Sequence, residues 1–246
     1  MNRSIRPLLI SAVTLVFAFT AQAGKSATSA VCTASSDKLV KALVGQAPGL
    51  RADVLRRGLD AACTATERGL VRRSELITVI DYSLPSTQPR LFVFDLAARK
   101  LLFRELVAHG KNSGENKTTF FSNSPGSLAT SFGLFVTAET YMGGNGYSLR
   151  LRGLEPGIND RAMERAIVMH GASYVSRKVT AALGRLGRSW GCPAVRPEIA
   201  RKLIDTVRGG SPVFAYYPEK NWLASSAFFR RSAPSKKPST AIANSR

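Results

Sequence analysis

The stretch GRSWGCPAV at residues 187–195 decides how the rest of the chain is interpreted. It places a thiol, that of Cys192, between a glycine and a proline. Gly191 lets the backbone turn tightly and admits the close approach of a substrate carbonyl, and Pro193 biases Cys192 towards an extended conformation. A thiol in such a loop can face a cleft, where a neighbouring base or positive charge can lower its pKa. We therefore predict that Cys192 is a reactive nucleophile.

Short strands are predicted on both sides of this loop. The runs are rich in β-branched and aromatic residues and are separated by Gly, Pro, Asn and Ser. One helix is predicted after Cys192, because Pro197 suits a first helical position and Gly209-Gly210 can end the helix. The fold class is therefore mainly β, a mostly antiparallel domain with one helix after the cysteine. The predicted strands span residues 76–82, 91–96, 101–108, 134–137, 147–151, 166–169 and 213–217.

A small helical segment is predicted before the strands. Apolar residues recur at helical spacing in two stretches between residues 35 and 69, with Pro48-Gly49 between them. Cys32 and Cys63 both belong to this part of the chain. In an exported protein they can form a disulfide whose loop closure contributes about 3 to 4 kcal/mol. Cys192 is then the unpaired thiol, although the sequence alone does not prove the pairing.

The first 23 residues have the pattern of a cleaved export signal. Arg3 and Arg6 precede about 13 apolar residues, and Ala21-Gln22-Ala23 offers a cleavage site. A membrane-spanning helix needs about 20 apolar residues, so an uncleaved anchor is the weaker alternative. The protein is thus expected in the periplasm or cell envelope. The expected organisation is a signal peptide at 1–23, a helical segment at 24–74, a catalytic domain at 75–218 and a basic, disordered tail at 219–246.

The chain is strongly basic, with 35 Lys and Arg residues against 16 Asp and Glu residues and a net charge of +19. Such a surface favours anionic partners. Export disfavours nucleic acid, which leaves an anionic wall polymer or membrane surface as the possible partner. No segment after the signal is apolar over a length that could cross a membrane.

Two histidines are available as a base for Cys192. His170 follows the apolar run at 166–169 and so stands at the end of a strand, a rigid position from which to hold an imidazole at a cleft. His109 ends another predicted strand and could border the same cleft. A metal site is the weaker alternative, because no pair of ligands has the short spacing typical of zinc sites.

The ordered set of motifs resembles the L,D-transpeptidase (YkuD-like) family, in its murein L,D-transpeptidase catalytic domain branch. MHGA at 169–172, followed by SWGC at 189–192, is similar to the HG and S-x-G-C signature of that family. The resemblance covers about residues 76–217 and implies a mixed β-sandwich catalytic domain. Two positions depart from the pattern, because many members have histidine in place of Trp190 and arginine in place of Ala194. Further similar segments lie at 107–110, 121–127, 141–154 and 187–195.

The resemblance implies roles for individual residues. Cys192 would be the acylated nucleophile, His170 its base and then its acid, and Ser189 a loop residue near the imidazole. Backbone N–H groups around Gly191 would form an oxyanion hole, worth about 2.7 to 4 kcal/mol for each donor. In place of the missing arginine, Arg188 or Arg196 would bind a stem carboxylate, and an exposed or helix-capping charge is the alternative for both. The expected substrate-binding residues are Arg188, Trp190, Arg196, Tyr141 and His109.

The reaction implied by the resemblance is acyl transfer on peptidoglycan stem peptides. Cys192 would attack the bond between the diamino acid and D-alanine of a tetrapeptide stem, and an amine of a second stem would then take the acyl group. Because the thioester preserves the energy of the broken amide, no cofactor or metal is needed. Two alternatives remain open at this point. One is an L,D-carboxypeptidase that gives the acyl group to water, and the other is a noncatalytic wall-binding protein that retains the fold.

Overall fold

The computed structural model describes Cys32 and residues 36–229. The predicted signal peptide and the predicted tail beyond residue 229 lie outside the described residues. The helices are α1 (Asp37–Gln46), α2 (Ala52–Glu67), α3 (Arg177–Leu183), α4 (Pro197–Val207) and α5 (Lys220–Ser225), with a short 3₁₀ helix at Lys111–Ser113. The strands are β1 (Leu76–Asp81), β2 (Leu91–Asp95), β3 (Lys100–Glu105), β4 (Gly133–Gly143), β5 (Gly146–Gly153), β6 (Val168–Gly171), β7 (Ala194–Val195) and β8 (Pro212–Tyr216).

One mixed sheet of eight strands forms the centre of the fold, in the order β3-β2-β1-β8-β4-β5-β6-β7. β1 runs parallel to β8 and β6 runs parallel to β7, while the other neighbouring strands are antiparallel. The mainly β fold predicted from the sequence is confirmed. Strand β4 is longer than predicted and continues to Gly143, because residues 140–143 pair with β5.

The first hydrophobic core lies between helices α1 and α2 and one face of the sheet. At Gly58 of α2, an added Cβ would lie 3.0 Å from the ring of Phe214, so glycine allows the helix to approach β8 closely. Burial of each large apolar side chain here contributes about 1.5 to 3 kcal/mol. The structure also joins Cys32 to Cys63 by a disulfide, the pairing considered from the sequence. The helical segment and the sheet therefore share one core.

The second core lies between the opposite face of the sheet and α4. Met169 of β6 and Leu203 of α4 are both fully buried in it. Since successive side chains of a strand point to opposite faces, His170 lies on the other face from Met169. The core under α4 thus fixes the strand that carries this histidine.

Residues 219–229 do not form the disordered tail expected from the sequence. Helix α5 packs on the first core, and the side chain of Trp222 is 2% exposed. Trp222 Nε1 and Ser226 Oγ donate hydrogen bonds to the buried carboxylate of Glu155, at 2.7 and 2.6 Å. Glu155 is far away in sequence, so the polar composition of the segment gave no sign of this anchor.

Candidate active site

Ser189 holds the cysteine loop in its turned conformation. Its hydroxyl donates to Cys192 O at 2.6 Å and accepts from Gly191 N–H at 3.1 Å. Its backbone N–H donates to His109 O at 2.9 Å, and its carbonyl accepts from Lys111 N–H at 2.8 Å. The side chain thus closes the turn while the backbone attaches it to the neighbouring 109–111 segment. This position makes Ser189 a loop-shaping residue.

Gly191 is required by the packing of the same loop. Its φ of +121° is a conformation that residues with a Cβ rarely adopt. An added Cβ would also lie 2.7 Å from Ala129 O. Thr130 Oγ1 donates to Gly191 O at 3.2 Å, so the loop rests on the 129–130 segment. A larger residue at position 191 would displace the backbone next to Cys192.

Cys192 is the free cysteine of the described part of the chain, and it is 8% exposed. Its Sγ accepts a hydrogen bond from Val168 N–H at 3.5 Å and donates to Ala166 O at 3.7 Å. Burial raises the pKa of the thiol, while the Val168 N–H and the charge of Arg165 act in the opposite direction. The resting cysteine is therefore a protonated thiol at neutral pH, and it needs a base before it can attack.

His170 lies one strand away from the cysteine loop. It pairs in register with Ala194, two residues after Cys192. Its Nδ1 lies 3.0 Å from Gly171 O. Because a carbonyl can only accept, Nδ1 carries the proton and Nε2 keeps a free lone pair. Burial lowers the pKa of His170, so the imidazole is neutral at pH 7 and can accept a proton.

The two groups are neighbours without a direct bond. Among the described residues, no hydrogen bond joins Cys192 Sγ to His170, since the thiol is engaged by Val168 and Ala166. Catalytic hydrogen bonds are often long or poorly aligned in ligand-free enzymes and tighten only when substrate binds. The arrangement thus places a thiol in the loop before β7 and an imidazole on the neighbouring strand β6.

His109 does not fit its expected place among the substrate-binding residues. It is 1% exposed, and Arg90 donates to its Nδ1 at 2.7 Å. Its Nε2 lies 3.2 Å from Gly114 O and donates to that carbonyl. Burial, followed by the charge of Arg90, lowers the pKa of His109 to about 4. Both nitrogens are occupied, so His109 is a neutral structural histidine beneath the cysteine loop.

The arginines expected to bind a stem carboxylate are already paired with protein groups. Arg196 makes a double hydrogen bond to Glu105, with both distances 2.8 Å. Arg188 donates to Glu115 at 2.7 Å and to two backbone carbonyls of the 111–114 loop. A substrate carboxylate would have to compete with these acceptors. Neither arginine is fully exposed, and Arg196 makes no side-chain cap bond to the helix that follows it, so the alternative of an exposed or helix-capping charge does not describe them either.

Tyr141 and Trp190 remain on the surface near the site. Tyr141 pairs with Ser148, which pairs with His170, so the three residues form one row across β4, β5 and β6. Residues opposite each other in antiparallel strands point to the same face, which places Tyr141 on the face of His170. Arg150 stacks over the Tyr141 ring at 4.3 Å. Trp190 is 74% exposed, which leaves its indole free to contact a ligand.

Fewer N–H groups are free to form the expected oxyanion hole than the sequence suggested. Gly191 N–H donates to Ser189 Oγ and is not available to a substrate. Within residues 36–229, the N–H groups of Trp190 and Cys192 make no hydrogen bond. These two are the remaining donors for a developing oxyanion.

Sequence reasoning missed Arg165, which lies beside the cysteine. Its guanidinium donates to Ser122 O and Ser131 Oγ, both at 2.6 Å, and also to Ser127 Oγ and Ala129 O. Arg165 precedes Ala166, whose carbonyl meets the thiol and whose φ is +52°. Arg165 therefore supports the segment under Gly191 and places a positive charge near Sγ. The only signal in the sequence is its position just before the strand of His170.

Replacing Arg165 tests this electrostatic contribution. We expect Arg165→Met to slow alkylation of Cys192 by iodoacetamide about fivefold at pH 7, because a partly exposed charge interaction is worth up to about 1 kcal/mol. Arg165→Lys, which keeps the charge, should recover part of the rate. The measurement is the alkylation rate between pH 6 and 10, followed by intact mass. Identical pH profiles for the Met and Lys variants would show that the charge has no such effect.

The described residues offer few candidate ligands for a metal ion. Among the residues that the structure describes, the one group of three potential ligands is Cys32, Cys63 and Glu67. The two sulfurs are bonded to each other, which leaves one exposed carboxylate.

None of the described helices is long and apolar enough to span a bilayer.

Comparison with known families identifies the fold that carries this site. The family model of the L,D-transpeptidase catalytic domain matches residues 46–216. The chain belongs to this family. The match begins within α1, so it includes α2, which the sequence assigned to a separate segment ending at residue 74. No curated protein matches the chain.

Solved L,D-transpeptidases are distant structural neighbours. One from Mycobacterium smegmatis is 15% identical, with a TM-score of 0.36, over 58% of this chain and 59% of its own. This chain thus spans about three fifths of that protein. One from Stackebrandtia nassauensis is 12% identical, with a TM-score of 0.36, over 80% of this chain and 91% of its own. A helical cell shape determining protein from Campylobacter jejuni is 14% identical, with a TM-score of 0.38, over 67% of this chain and 57% of its own.

Proposed function

We propose that this L,D-transpeptidase family member is a cysteine acyltransferase that cross-links peptidoglycan stem peptides. The observation that carries the proposal is a free thiol, Cys192, in the loop just before β7, the strand that pairs with the strand of a neutral His170 whose Nε2 is available. A raised pKa of the thiol and a lowered pKa of the imidazole keep both groups neutral at rest, so the proton has to move as Sγ attacks. The donor is a tetrapeptide stem whose third residue is a diamino acid and whose fourth is D-alanine.

Acylation begins when His170 Nε2 accepts the thiol proton and Cys192 Sγ attacks the carbonyl of the diamino acid. The N–H groups of Trp190 and Cys192 stabilise the oxyanion of the tetrahedral intermediate. His170 then returns the proton to the nitrogen of D-alanine, the C–N bond breaks and a thioester remains. Gly191 and Ser189 contribute by holding the loop in position.

Deacylation repeats these steps with a different nucleophile. An amine of a second stem attacks the thioester, gives its proton to His170, and forms the new amide as the Cys192 thiol is released. If water takes this part instead, the product is a trimmed tripeptide stem and the enzyme is an L,D-carboxypeptidase. The choice depends on how well the acceptor excludes water from the thioester.

We further propose that the protein acts in the periplasm or cell envelope. The Cys32–Cys63 disulfide supports this, since such bonds persist mainly in oxidising compartments. The net charge of +19 favours contact with an anionic wall or membrane surface. Salt should therefore weaken retention on isolated cell walls.

The proposed function is tested by incubating residues 24–246 with a disaccharide-tetrapeptide and measuring both intact protein and muropeptides by mass spectrometry. We expect a Cys192 adduct with loss of D-alanine, followed by cross-linked dimers, and neither in Cys192→Ala. Tripeptide without dimers would favour the carboxypeptidase. Products that are independent of Cys192, or no products, would contradict the acyltransferase and favour a noncatalytic wall-binding protein.

A further inference from the structure

A groove of about 440 Å³ opens on the sheet beside the site and contains two arginines, Arg72 and Arg152. We call it the Arg72–Arg152 groove. Met163 adds an apolar, 38% exposed side chain to its wall. Glu139 also lines it, but this carboxylate pairs with Arg150 at 3.1 Å. A volume of this size is typical of clefts that bind small molecules or peptide segments.

The strand register places the Arg72–Arg152 groove close to the thiol. Arg150 of β5 pairs with Val168, and one step beyond, Leu151 N–H donates to Ile167 O. Continuing this register sets Arg152 beside Ala166, the residue whose carbonyl meets Cys192 Sγ. Neighbouring strands are about 4.8 Å apart, so the backbone of Arg152 stands about 10 Å from the backbone of the cysteine loop, two strand spacings away across the sheet.

The groove also opens on the face that carries the proposed base. Residues 148, 150 and 152 of β5 point to one face because side chains alternate along a strand. Ser148 is opposite His170, so Arg152 shares the face of His170. A peptide lying along this face can therefore reach the imidazole and the groove together.

The two arginines differ from the other arginines near the site in having no partner. Arg150, Arg165, Arg188 and Arg196 all donate to protein acceptors or form ion pairs. The side chains of Arg72 and Arg152 are exposed and make no hydrogen bond or ion pair with any described residue. Their guanidiniums are therefore free to bind an anion without breaking an existing contact.

The backbone fixes Arg72 at the groove. The N–H groups of Arg72 and Arg73 both donate to Gly210 O, at 3.0 and 3.1 Å. An added Cβ at Gly210 would lie 2.8 Å from the Cβ of Arg72, and Gly210 has a φ of +100°. Glycine at this position leaves room for the arginine. The backbone of Arg72 is thus held at the turn that precedes β8.

We propose that Arg72 and Arg152 form a subsite that binds a carboxylate of a peptidoglycan stem peptide. The proposal rests on the proposed function. The carboxylate belongs either to the donor stem or to the acceptor stem. Guanidiniums suit it because each can donate two parallel hydrogen bonds to a carboxylate.

Binding can be measured without catalysis in the Cys192→Ala protein, using a disaccharide-tetrapeptide and calorimetry. We expect the double substitution Arg72→Gln and Arg152→Gln to weaken binding at least about tenfold. Amidation of the stem carboxylates should weaken binding to the protein with both arginines and have little effect on the double variant. Arg177→Gln is the matched control, since Arg177 is also exposed and unpaired but lies on α3 away from the groove. Equal affinities with and without the two arginines would overturn the proposal.

Kinetics of the enzyme with Cys192 intact then identify which stem supplies the carboxylate. A raised KM for acylation with donor alone would assign the carboxylate to the donor stem. Unchanged acylation with slower transfer to a second stem would assign it to the acceptor. Wild-type rates for both steps in the double variant would overturn the subsite while leaving the acyltransferase intact. Binding that depends on the arginines without any Cys192 adduct would instead sink the proposed function alone.

Discussion

His170→Ala is expected to slow acylation of Cys192 by a factor of about 10² to 10⁴, the usual contribution of a positioned general base. Burial raises the pKa of the thiol, so little thiolate exists at pH 7 unless Nε2 of His170 removes the proton. The measurement is the rate of adduct formation on intact protein after rapid mixing with a disaccharide-tetrapeptide.

The pH profile of the same reaction distinguishes a base from a structural histidine. The wild-type rate should fall on acidification, and because burial lowers the pKa of His170, the fall should lie below about pH 6.5, the ordinary value for histidine. In His170→Ala this acid limb should disappear, and the rate should rise with pH as the thiol ionises. His109→Gln is the control, since glutamine can still accept from Arg90 and donate to Gly114. If a His109 substitution abolished acylation and His170→Ala spared it, the assignment of the base would be wrong.

Arg90→Met is expected to destabilise the fold by about 3 to 5 kcal/mol, because it leaves several buried hydrogen-bond acceptors without a donor, at about 1 to 3 kcal/mol each. The side chain is fully buried, and it donates to Val107 O, Leu84 O, Thr118 Oγ1 and His109 Nδ1. It also stacks on the ring of Tyr82 at 5.0 Å. Burial lowers the pKa of Arg90 to about 10, so the guanidinium stays charged at neutral pH.

The loss of stability should be visible in urea unfolding as a lower midpoint concentration, with an unchanged dependence of the unfolding free energy on urea concentration. Arg177→Met, an exposed arginine with no partner, should change the unfolding free energy by less than about 0.5 kcal/mol. Since His109 O accepts from Ser189 N–H, Arg90→Met should also slow acylation through the displaced cysteine loop. Stability equal to that of the Arg177 control would mean that the buried network does not hold the fold together.

Much of the fold followed from local pattern. A short run of β-branched and aromatic residues indicates a buried strand. This pattern predicted the strands around residues 76–82, 91–96 and 213–217. The second half of β4 was not predicted, because a register shift between Thr137 and Thr140 interrupts the regular alternation of the strand. The packing of residues 219–229 was not predicted, because it depends on partners far along the chain. Trp222, for example, is fixed by Glu155, 67 residues away.

The sequence by itself determined the family and proposed Cys192 and His170 as the reacting pair, because a thiol between Gly191 and Pro193 and a histidine at a strand end are local features. Only the tertiary structure decided which charges are free. Arg196 is committed to Glu105, 91 residues away, and Arg188 to Glu115, 73 residues away, while Arg72 and Arg152 are left open. The physical reason is that an ion pair depends on the distance between two charges in space, and chain folding alone sets that distance.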